Sequence, residues 1–182
     1  MLSVLSVARC PWPVLPAGRG RVFAVVLTAT ALLWLGVLIA APLIAARVGT
    51  SPALGAVYSA AGLICHQRPA RSFSIAGRQL PVCARCFGLY AAGAVAAVAA
   101  HFWADGRIRG GTRAVQFALA LAAAPTASTV LLEWAGLAVP SNAGRAAAAV
   151  PLGAAAGWIF VRLLADDHPA SVTEGCVGRS AP

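Results

Sequence analysis

Cys65, His66, Cys83 and Cys86 are the residues of this chain best suited to chemistry, and all lie within LICHQRPARSFSIAGRQLPVCARCFGLY, residues 63–90. The stretch also carries Arg68, Arg71, Arg78 and Arg85. Two residues between Cys83 and Cys86 let both sulfurs face one concavity, as metal sites and redox pairs require. Cys65 is 18 positions before Cys83, so the pattern is half of a zinc signature joined to a Cys-His pair. Adjacent residues do not readily hold one ion together. Cys65, Cys83 and Cys86 are therefore candidate thiolate ligands, with His66 the fourth ligand or a supporting group, and zinc is the default ion for thiolate with imidazole.

The same residues support other readings. Cys83 and Cys86 open an apolar run, where a helix N-terminus and nearby arginines favour thiolate, as both metal binding and thiol-disulfide exchange need. An oxidoreductase would cycle Cys83 and Cys86 against a redox partner, with Cys65 resolving or shuttling. A plain structural disulfide or structural zinc would only fold the loop. Arg68, Arg71, Arg78 and Arg85, with Arg145 further on, could instead hold an anion, a lipid headgroup or a transported solute through their planar donors. No paired carboxylates, P-loop or Ser-His-Asp pattern is present, so no catalytic residue is assigned.

The chain around this stretch has the composition of a membrane protein. Of its 182 residues 60% are hydrophobic and only 10% charged, with a mean hydropathy of +0.80, outside the range of soluble domains. All fourteen basic residues are arginine, against five acidic residues. They flank apolar runs rather than interleave with aromatics, so the partner expected is a lipid bilayer and not nucleic acid. A bilayer core of about 30 Å takes roughly 20 helical residues. Runs of that length cover 22–46, 87–104, 114–132 and 146–165, the last requiring Arg162 to extend its guanidinium to the interface. His101 and Trp103 suit a helix end at headgroup level, and the first run is too long for a cleaved signal peptide.

Val48 to Cys65 is also uncharged, but Pro52, three glycines, Tyr58 and two serines mark it as a short helix at the interface or within the bundle. The expected fold is an all-α, bacterial-type, multi-pass cell-membrane protein of about four transmembrane helices, five if this stretch spans, with the Cys/His loop (63–86) before the second. Arginine counts do not choose, because either layout divides them eight to six between the two sides. Four spans with a cytoplasmic N-terminus place the loop outside the cytoplasm. The helical domain covers 22–165, with flexible segments at 1–21 and 166–182, where Cys10 and Cys176 stand alone. Gly153 and Gly157, four apart, fit the small-xxx-small pattern of close helix packing, within a bundle or a homo-oligomer.

At the loop the chain resembles a prokaryotic membrane-protein family known as domain of unknown function 2085. Its members show Cys-His-Gln, Pro-x-Arg-Ser-Phe and Pro-Val-Cys-Ala-Arg-Cys, then a small residue, Gly and an aliphatic-Tyr pair. Cys65, His66, Gln67, Pro69, Arg71, Ser72, Phe73, Pro81, Val82, Cys83, Ala84, Arg85, Cys86, Gly88 and Tyr90 match. Ser141, Asn142, Arg145, Gly153 and Gly157 resemble the family's Ser-Asn-x-x-Arg segment and its glycines. Ser141 and Asn142 could cap the last helix or form a polar gate opposite the loop. Phe87 stands where Thr or Ser is expected, and Pro125 to Ser128 lacks an aspartate found in the family's third span. The resemblance implies a helical membrane protein with a Cys/His loop, and no activity.

Overall fold

The computed structural model describes residues 19–103 and 112–165. The expectations for residues 1–18 and 166–182, including Cys10 and Cys176, lie outside these, while Arg19 to Arg21, expected in the flexible segment, instead form the first residues of the opening helix. Five helices follow in order: α1 (Arg19–Val48), α2 (Pro52–Gly62), α3 (Ala84–Phe102), α4 (Thr112–Trp134) and α5 (Asn142–Ala165). α1, α3, α4 and α5 are long and apolar enough to cross a membrane. α2 has 11 residues, about 16 Å at 1.5 Å per residue, half of a bilayer core. The four-span layout is therefore the observed one.

Local chemistry explains α2. Ser51 is its N-cap, accepting from the Leu54 amide at 3.3 Å, and Pro52 occupies the first helical position, where its missing N–H costs nothing. Leu54 packs onto Ala41 and Ala45 of α1, with Val57 and Tyr58 alongside. α2 thus lies against α1 and delivers the chain to Cys65.

The segment between α2 and α3 is more ordered than a loop. A single 3-10 turn (Pro69–Arg71) precedes a hairpin of β1 (Ser74–Ile75) and β2 (Arg78–Gln79), paired antiparallel with Ile75 opposite Arg78. Ala76 and Gly77 form its two-residue turn with φ of 51° and 73°, the pair of positive angles that a type I′ turn needs. Gly77 meets that demand without strain.

α3 and α5 form the most extensive helix pair, because glycines replace side chains at the crossing. A Cβ on Gly88 would collide with the Ala146 carbonyl, one on Gly153 with the Leu89 carbonyl, and one on Gly157 with the Gly93 carbonyl. In lipid, where apolar burial does not drive helices together, close backbone approach supplies the packing. Gly153 and Gly157 therefore pack within the chain against α3.

Arg162 departs from its expected role. It is buried, and its guanidinium donates to the carbonyls of Trp103 at 2.9 Å and Ala100 at 3.3 Å. Instead of reaching outward it satisfies carbonyls that the end of α3 leaves without helical partners. His101 is exposed, with Nε2 3.0 Å from the Thr28 hydroxyl.

Candidate functional site

Three cysteines meet where α2 ends and α3 begins. Cys83 is the N-cap of α3 and Cys86 stands three residues on, positions whose side chains face one another across the first turn. Cys65 emerges from α2 with its amide bonded to the Ala61 carbonyl at 3.0 Å. The three Sγ atoms all lie within 4.8 Å of one another, and all three residues are free cysteines. The Cys83 amide donates to Cys65 Sγ at 3.1 Å. Leu38 of α1, Ala61 and Val82 bury the group from behind, with Trp34, Phe87 and Tyr90 beside it.

Polar contacts brace the segment that carries Cys65. Gln67 has φ of 47°, a left-handed conformation uncommon outside glycine. Its Nε2 donates to the Tyr58 carbonyl at 2.6 Å, and its own carbonyl accepts from Gln79 Nε2 at 2.7 Å. Tyr58 in turn donates its hydroxyl to the Gln79 carbonyl at 2.5 Å. Phe73 packs edge-on against Phe87, centroids 5.9 Å apart, tying the hairpin to α3.

The cysteines are not electrostatically alike. Hydrogen bonding from the Cys86 thiol, reinforced by the amides of Cys86 and Arg85 and by the Cys65 thiol, holds Cys83 well below the usual thiol range, although burial opposes this. Cys83 is the sulfur best able to be thiolate at neutral pH.

The arginines gather around Glu133, at the end of α4. Arg85 NH2 meets Glu133 Oε2 at 2.7 Å, while Arg145 NH2 and Arg71 NH2 meet Oε1 at 2.7 and 3.1 Å. Arg145 also donates to Asn142 Oδ1 at 2.8 Å, and Asn142 Nδ2 donates to the Ser72 carbonyl at 3.0 Å. Ser141 caps α5, its hydroxyl accepting from the Gly144 amide at 3.1 Å. Asn142 thus joins α5 to the loop, and Ser141 does the capping.

A cavity of about 430 Å³ lies between the two groups, lined by Cys65, Cys83 and Cys86 and by His66, Arg68, Arg71, Arg85 and Arg145. The structure brings together all but one of the candidate ligand and anion-binding residues. Arg78 lines a separate cavity with Tyr58 and Gln79. His66 is exposed on the shared wall, outside the group of three sulfurs. Of the other motif residues, Pro81 is fully buried and Gly88 makes the α3–α5 crossing.

Glu133 is a residue that the sequence reading did not single out. Among the described residues it is the only carboxylate. A lone acid at the membrane face where arginines collect was the available signal.

The family of predicted membrane proteins DUF2085 matches residues 65–159, from the first cysteine to the last helix and just over half of the chain. The chain belongs to this family. Its four apolar helices make the chain a multi-pass membrane protein, in keeping with the family's description. An uncharacterized protein of Methanocaldococcus jannaschii is 65% identical over 37 residues, 20% of this chain and 22% of the relative. An uncharacterized protein of Methanothermobacter thermautotrophicus is 56% identical over 27 residues, 15% and 24% of the two chains. The chain thus spans less than a quarter of the length of either relative. Both are archaeal, so the bacterial origin expected from sequence has no support from them. No solved structure matches.

Proposed function

We propose that this DUF2085 protein is a membrane metal-binding protein in which Cys65, Cys83 and Cys86 hold zinc at the wall of the arginine-lined cavity. The observation that carries this reading is the approach of three Sγ atoms to within 4.8 Å of one another. Tetrahedral zinc with Zn–S bonds of about 2.3 Å sets its sulfurs roughly 3.8 Å apart. Soft thiolates favour zinc over magnesium or calcium, and the amide bonded to Cys65 Sγ adds stabilisation to a thiolate there.

His66 lies outside the sulfur group, so we assign three protein ligands and a fourth place facing the cavity. Three ligands plus one exchangeable position is the composition of catalytic rather than structural zinc sites, and a metal there would act as a Lewis acid on what enters. With four spans and a cytoplasmic N-terminus, the site faces the extracytoplasmic side.

Cobalt substitution tests the ligand set. Protein loaded with cobalt should show a thiolate-to-metal charge-transfer band that Cys83→Ser abolishes and His66→Ala leaves in place. Loss of the band in both variants would make His66 a ligand, and no band in the parent would refute the site. The depressed Cys83 thiol favours a second reading, exchange between the Cys83–Cys86 dithiol and a partner disulfide. Metal would then be absent, and Cys83→Ser and Cys86→Ser would trap different mixed disulfides.

A further inference from the structure

The cavity wall carries more positive charge than its own residues neutralise. Arg68, Arg71, Arg85 and Arg145 face one space, while Glu133, the only carboxylate among the described residues, offers two oxygens to three of them. Nε of both Arg85 and Arg145 is buried without a partner, so guanidinium donors already outnumber acceptors. Arg68 makes no side-chain hydrogen bond or ion pair among the described residues. Four guanidinium charges, set against one carboxylate and the single net negative charge of a zinc tris-thiolate, leave two positive charges. A surplus of that size in a partly enclosed space calls for a multivalent oxyanion.

From this surplus we infer that the cavity binds a phosphomonoester dianion, its oxygens held by Arg68 and Arg71 with Arg85 and Arg145 behind them. The group carries nearly two negative charges at neutral pH and three acceptor oxygens. Arg68 and the 40%-exposed Arg71 are accessible to a ligand, whereas Glu133 fixes the deeper pair. The α3 and α5 N-termini lie at the same end of the bundle and add positive potential. Trp134, 88% exposed, stands on the same wall, so the phosphate could belong to a lipid headgroup or to a free solute. The inference deepens the metal reading by naming what would enter at the fourth place, yet its arginine half stands without the metal.

Calorimetric titration of the full chain in an uncharged detergent tests it, with zinc measured on the same samples. The probes are inorganic phosphate, dihexanoyl phosphatidic acid and, as an anionic diester control, dihexanoyl phosphatidylglycerol. Saturable phosphate binding is expected, weakened about tenfold or more by Arg68→Gln or Arg71→Gln, since each removes charged hydrogen bonds. Arg47→Gln, an exposed arginine at the same end of the bundle and outside the cavity, should leave the affinity unchanged. Binding of phosphatidic acid alone, with the same dependence on Arg68 and Arg71, supports the site and assigns it to a headgroup. No binding, equal binding of phosphatidylglycerol, equal losses in Arg47→Gln and Arg68→Gln, or no loss in either cavity variant overturns it. Zinc without phosphate binding defeats this inference alone, and phosphate binding without zinc defeats only the metal reading.

Discussion

Replacing Glu133 with Gln should destabilise the protein by about 3–5 kcal/mol, the range for removing one partner of a buried ion pair. Arg145 and Glu133 are 6% and 9% exposed at their side chains, and Arg85 is 17% exposed. Their guanidiniums would be left as neighbouring like charges with little water to screen them. Arg71, at 40% exposure, can turn outward and contributes little to the loss. In detergent the melting temperature should fall by roughly 10 °C. The double change Glu133→Gln with Arg145→Gln should recover part of that, because the most deeply buried orphan charge is gone. A single variant melting within about a degree of the parent would mean that the carboxylate does not hold α3, α4, α5 and the loop together.

The second large effect is expected at the α3–α5 crossing. Leu at position 153 must place its side chain where the Leu89 carbonyl lies, and neither backbone can yield without separating the helices. Overpacking of a core costs about 1–3 kcal/mol, and a clash with backbone lies at or above the top of that range. Because α3 carries Cys83, Arg85 and Cys86 while α5 carries Arg145, Gly153→Leu should also lower metal content. Gly36→Leu is the matched control, since a Cβ there meets nothing within 4 Å. Equal melting temperatures for the two variants would show that the glycine crossing does not position the site.

Several of these features were readable because each rests on local chemistry. Uncharged length marked the four spans, and Pro52 with the glycines marked α2 as short. The spacing of Cys65, Cys83 and Cys86 identified the sulfur group, since N-cap and third-position side chains of any helix converge. What stayed hidden depends on contacts between distant segments. Glu133 gains its role only when α4 ends beside the starts of α3 and α5. Arg162 finds its acceptors in the carbonyls of α3, some sixty residues away in sequence. The hairpin escaped notice because its strands are two residues long and Ala76 occupies a turn position that usually holds Asn, Asp or Gly. Gly153 and Gly157 were legible as a packing face, but their partner helix was not.

The most direct test of the metal centre is zinc per chain, measured by elemental mass spectrometry on protein purified in mild detergent, with free thiols counted on the same sample. The site described above predicts close to one zinc in the parent and none in the Cys83→Ser/Cys86→Ser variant. A parent without zinc, whose Cys83 and Cys86 are missing from the thiol count, would contradict it and establish a disulfide in place of a metal centre.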